Sequence, residues 1–114
     1  MIIKNLTNNN VLSLEAWLAD TFFTRARGLL GVPSFKDGQC LIITHCNSIH
    51  MFFMKFAIDA VFLDRNSHVV GLVRHIKPNQ LSPIFWKADK VLELPTGTIE
   101  RTKTSLGDQM QIVS

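Results

Sequence analysis

Ile58-Asp59-Ala60-Val61-Phe62-Leu63, then Asp64-Arg65-Asn66-Ser67-His68, then Val69-Val70-Gly71-Leu72-Val73-Arg74-His75-Ile76 decide the fold of this chain. The outer runs are rich in β-branched and aromatic residues and the middle is polar, so they read as two strands joined by a turn. The first run is apolar at almost every position, as a strand covered on both faces is. Asp59 is the exception. Alternation puts it on the face of Val61 and Leu63, where a lone carboxylate is costly to bury and needs a partner. With Asn66-Ser67 as a two-residue turn, Asp59 lies opposite Arg74 and predicts a cross-strand ion pair. A three-residue loop puts it opposite Val73. Either register asks Ser67 to adopt left-handed backbone.

Outward from this hairpin, strands are also expected over 39–44, 49–55, 91–94 and 109–113. At the start, Asn8-Asn9-Asn10 reads as a turn between short strands, the second covering 11–17. Asp20 or Thr21 caps a short helix with Phe22, Ala26, Leu29 and Leu30 along one stripe, ending at Gly31-Val32-Pro33. The prolines between Lys77 and Lys90 mark a long irregular loop carrying Phe85 and Trp86. The expected fold is α+β, mainly β: a small curved antiparallel sheet or barrel-like domain with one short N-terminal helix, residues 1–114 forming a single domain.

Composition supports one core, with 46% hydrophobic residues including eight Phe and two Trp in 114 residues. Net charge is +3, but the basic residues run singly among nine acids, which argues against nucleic-acid binding. No run approaches the roughly eighteen apolar residues of a membrane span. The start lacks a basic segment leading into an apolar core, so the chain as given reads as cytoplasmic. Cys40 and Cys46 flank a β-branched segment with no turn residues and are expected as free thiols in a reducing compartment.

Ala26-Arg27-Gly28-Leu29-Leu30, the run from Ile49-His50-Met51 through Ile58-Asp59-Ala60 to Leu63-Asp64, Val91-Leu92-Glu93-Leu94-Pro95-Thr96-Gly97, and Gly107-Asp108 occur in that order. Together they resemble the Domain of Unknown Function 192 family from about Trp17 to Met110. The resemblance implies a small, mainly β, single-domain bacterial or archaeal protein, some members being exported, with no settled activity. The chain departs from the family pattern at Ser67, where Gly is usual, and at Leu30, where Met is common.

Several chemistries lack their motifs. No G-x-S-x-G elbow, phosphate-cradling loop or G-x-G-x-x-G is present, and no cofactor is expected. His45 and His50 stand on opposite faces of a strand, and with Cys40 and Cys46 they match no zinc spacing, so no metal site is expected. Cys46 and His50 share a strand face but lie about 13 Å apart, too far for a dyad without a sharp bend. Asp59, Asp64, Glu93 and Asp108 are candidates for a carboxylate pair, although exposed acids of this kind are far commoner than catalytic ones.

The favoured reading is a non-catalytic binding module for a small polar ligand or peptide. Arg27 would hold an anionic or hydroxyl-rich group, His50 add a hydrogen bond, Trp86 offer a stacking face, and Asp59 orient Arg27 or the ligand. Against it stands the plainer view that His50 and Trp86 are core residues and Asp59 pairs with Arg74. The alternatives are an enzyme using Cys46, His50 or a carboxylate, and a protein-interaction module pairing through a strand edge. Oligomeric state is left open.

Overall fold

The computed structural model describes residues 1–21, 24–25, 28–30 and 34–114. Its elements are β1 (Ile2–Asn5), β2 (Val11–Ser13), β3 (Glu15–Ala19), β4 (Gln39–Thr44), β5 (Ile58–Leu63), β6 (Val69–Ile76), β7 (Lys90–Pro95), a short helix α1 (Thr98–Thr102) and β8 (Met110–Val113). They form a three-stranded sheet ordered β2-β1-β8 and a five-stranded sheet ordered β3-β4-β7-β5-β6. The fold is mainly β. No helix among the described residues is long and apolar enough to cross a membrane.

The strands apolar on both faces sit where burial demands. In β5 every residue is buried, and it lies between β7 and β6. Alternation then builds two apolar layers. Val61 and Leu63 join Ile42, Leu92 and Leu94 on one face, packed against Ile3, Leu12 and Met110 of the small sheet and Ile99 of α1. Ile58, Ala60 and Phe62 join Leu41, Ile43 and Val91 on the other, covered by Ile49, Met51 and Leu29 from connecting segments.

Five expectations need correction. The two sheets stay open and do not close into a barrel. Nor is the large sheet wholly antiparallel, because β3 runs parallel to β4. The single strand expected over 11–17 breaks at Leu14, where the Leu14 and Glu15 N–H groups both donate to the Gly38 carbonyl at 3.1 Å. There the chain leaves the small sheet and enters the large one. The described helix is not N-terminal, since α1 follows β7. Of the segment expected to be helical, Phe22, Ala26 and Gly31-Val32-Pro33 lie outside the described residues. Within it Arg25 N–H donates to the Thr21 carbonyl at 2.9 Å and Gly28 N–H to that of Thr24 at 3.0 Å.

The fifth correction concerns 49–55, which is not a strand. Ile49 and Met51 are buried and His50 and Phe52 exposed, so the alternation is present. The ladder is not: the segment makes one isolated bridge, His50 to Leu81. His50 therefore is not a core histidine, and Cys46 and His50 do not share a strand face.

The β5–β6 turn is the three-residue form. Ser67 N–H donates to the Asp64 carbonyl and Asp64 N–H to that of His68, both at 3.0 Å, with Ser67 at φ 64°. Register shifts then displace the pairing, so that Ile58 faces Ile76 and Ala60 faces Val73. Asp59 is left opposite the two-residue bulge Arg74-His75.

Candidate functional site

Asp59 does not make the ion pair its position suggested. It is 1% exposed, and its oxygens accept the N–H groups of His75 and Ile99, each at 3.0 Å. The first bond fixes the bulge. The second satisfies a free N–H in the first turn of α1, where Gly97 supplies no side-chain cap. Asp59 is thus a structural carboxylate facing the small-sheet side.

On the opposite side a different carboxylate stands out. Glu93 lies on β7, the central strand of the large sheet, and pairs across to Leu41 and Ala60. Residues directly opposite in antiparallel strands share a face, so the carboxyl stands between apolar neighbours. Glu93 is 6% exposed, and burial pushes its carboxyl up to about 7. No described residue forms an ion pair or side-chain hydrogen bond with it. Buried carboxyls are costly to a fold and cluster at functional sites.

Glu93 faces an open cleft of about 120 Å³, lined also by Arg25, Cys46, His50, Met51 and Met54. Gly28 forms part of its wall. A Cβ added there would meet Glu93 Oε1 at 4.0 Å, an ordinary contact, so the left-handed backbone at φ 50°, and not crowding, favours glycine. Two larger clefts are lined by no buried acid, base or thiol. Among the described residues no three His, Cys, Asp or Glu side chains are grouped to hold a metal ion.

The thiols are both free. Cys40 is buried, and burial followed by the charge of Glu93 pushes its thiol up. Cys46 is partly buried and lines the cleft. Burial is again the largest influence and raises it, while its thiol donates to the Ser48 carbonyl at 3.1 Å. It is a neutral thiol whose proton is directed at the backbone and not at His50.

Of the residues expected to form a site, His50 lines the cleft, with its ring stacked on Phe52 at 5.2 Å. Asp59 is occupied on the other face of the sheet. Trp86 is 80% exposed on the 77–89 loop and does not line the cleft, whereas its neighbour Phe85 packs on Phe62 at 4.6 Å. Arg27 lies outside the described residues, and Arg25 is the described arginine at this cleft. Glu93 itself was visible in sequence only as one of several acids. The signal that singles it out is its place between Leu92 and Leu94 in a strand buried on both faces.

These features define a class: a small, mainly β domain of two open sheets with a buried carboxyl at the floor of a cleft. The chain belongs to the DUF192 family (Uncharacterized ACR), whose model matches residues 3–112. It is 36% identical over 113 residues to a UPF0127 protein of Thermococcus sibiricus, covering 96% of this chain and 73% of the relative. A UPF0127 protein of Pyrococcus horikoshii is 34% identical over 117 residues, covering 96% and 97%. The crystal structure of a protein of unknown function from Novosphingobium aromaticivorans shares the fold, with a TM-score of 0.82 at 19% identity over 97% of this chain and 82% of that one.

Proposed function

We propose that the Glu93 cleft binds a small polar ligand without transforming it. The observation that carries this reading is the buried Glu93 carboxyl, which faces open space and has no described partner. A ligand offering a hydrogen bond would supply what the described residues do not. Arg25 provides a cation for an anionic or carbonyl group, and His50 a second polar contact on the cleft wall. The volume of about 120 Å³ is below the ~300 Å³ at which drug-sized sites begin. The ligand is therefore a compact metabolite or a single side chain of a peptide.

The state of Cys46 favours binding over thiol catalysis, because a nucleophile must be a thiolate and burial raises this thiol. A second reading is supported by Glu93 titrating at about 7, where a general acid or base works best. A thermal-shift screen of small polar metabolites tests the first reading. A ligand that stabilises wild type should lose its shift in Glu93→Ala and keep part of it in Glu93→Gln, which retains hydrogen bonding. Wild-type turnover of a bound compound that Glu93→Gln binds but does not convert would favour the acid–base enzyme. Equal shifts in wild type and Glu93→Ala would remove the cleft from consideration.

A further inference from the structure

Residues 46–57 and 77–88 form an irregular antiparallel ribbon laid over the Phe62 face of the large sheet. Four backbone bonds hold it: Phe85 N–H to Asn47 O at 2.8 Å, Ser82 N–H to Ile49 O at 2.9 Å, Met51 N–H to Gln80 O at 2.9 Å and Asn79 N–H to Met51 O at 2.8 Å. Its inner residues Ile49 and Met51 are buried in the core. Its outer residues are unusual for a surface: Phe52, Phe53, Leu81, Ile84 and Trp86 are all exposed, Phe53 by 85% and Trp86 by 80%. Phe53 also holds φ 65°, a left-handed conformation that disfavours any residue with a Cβ. Exposed apolar groups gathered on one feature mark an interaction surface more often than scattered ones do.

Charge identifies the partner. Lys55, Lys77 and Lys87 are exposed on the same two segments, which contain no Asp or Glu. None of the three lysines takes part in an ion pair among the described residues. Aromatic side chains beside unpaired lysines suit both single-stranded nucleic acid and anionic lipid, but Leu81 and Ile84 offer nothing to a base stack. Aliphatic chains gain from the acyl region, and Trp suits the headgroup boundary.

We propose that this ribbon seats the protein on a membrane surface containing anionic phospholipid. Phe53 and Trp86 enter the headgroup region, and Lys55, Lys77 and Lys87 face the lipid charge. The ribbon forms one wall of the Glu93 cleft through Cys46, His50 and Met54, but Phe53, Trp86 and the three lysines do not line it, so the proposal stands whether or not the cleft binds a ligand.

The test is co-sedimentation with phosphatidylcholine vesicles, with and without about 30% phosphatidylserine, at low salt and at about 0.5 M NaCl. Binding is expected only with phosphatidylserine and should fall with salt. Each lysine changed to Gln should lower partition about fivefold, and Phe53→Ser with Trp86→Ser together about tenfold or more. Leu14→Ser, at a residue 70% exposed outside the ribbon, should have no effect. In a Trp17→Phe background Trp86 is the remaining tryptophan, and its emission should shift to the blue on phosphatidylserine vesicles. Absence of partition, or equal partition by a folded Phe53→Ser/Trp86→Ser variant, overturns the proposal. So does a Trp86 shift caused by oligothymidylate or by raising the protein concentration without vesicles, which would make the ribbon a nucleic-acid or self-association surface.

Discussion

The Asp59 carboxylate accepts the backbone N–H of Ile99 at 3.0 Å, tying the second residue of β5 to the first turn of α1. Together with its bond to His75 N–H, this makes one buried side chain the acceptor for two backbone donors from separate elements. Asp59→Ala should leave both unsatisfied and lose about 3 kcal/mol in urea denaturation. Asp59→Asn, which keeps one acceptor oxygen, should lose less. Arg74→Ala should stay within about 0.5 kcal/mol of wild type, since Arg74 is exposed and takes no part in a described ion pair. A large loss in Arg74→Ala would restore the ion pair.

Glu93 predicts a pH dependence of stability with a definite sign. Its folded pKa is about 7 against an ordinary 4.5, so between those values the folded state holds a proton that the unfolded state releases. Stability should be unaffected by this group below about pH 4.5, fall as pH rises toward 7, and level off above it. The difference of 2.5 corresponds to about 3 kcal/mol. Glu93→Gln cannot ionise, so its free energy of unfolding relative to wild type should rise by about that amount from pH 4.5 to pH 8. A constant difference across the range would show that Glu93 is solvated or paired.

Ser67 holds φ 64° at the third loop position of the β5–β6 turn, where a Cβ is unfavourable. Its backbone carbonyl accepts Met110 N–H at 2.8 Å, so the turn is also fixed from β8. Ser67→Gly keeps both backbone bonds and should raise stability by about 1 kcal/mol, read as a higher urea midpoint at unchanged slope. A lower midpoint would mean that the added freedom of the unfolded glycine outweighs the relief.

Gly71 has no room for a side chain, because a Cβ there would come within 2.7 Å of Phe85 ring carbons. Gly71→Ala should cost about 1–3 kcal/mol by displacing a ring that packs on Phe62. In a Phe85→Ala background the same change should cost little or become favourable, since Ala suits a strand interior better than Gly. Equal penalties in both backgrounds, measured as a double-mutant cycle, would place the strain elsewhere.

Local chemistry by itself determined the hairpin at the centre of the fold. The doubly apolar run 58–63, the strand 69–76 and the left-handed Ser67 follow from period-two burial and turn sterics, which act over a few residues. So did the strand at 39–44 and the free thiols. What depends on distant partners was not legible. Residues 49–55 have a strand's alternation, yet a strand also needs a neighbour's ladder, and 77–88 supplies only a single bridge. The bulge at Arg74-His75 moved Asp59 out of register, and α1, forty positions on, claimed its second oxygen. Glu93 and Asp59 look alike in sequence, each an acid inside an apolar strand. Only tertiary structure separates them, because burying a carboxylate is tolerable when donors arrive from elsewhere in the chain, and at Glu93 the described chain brings apolar walls and an open cleft instead.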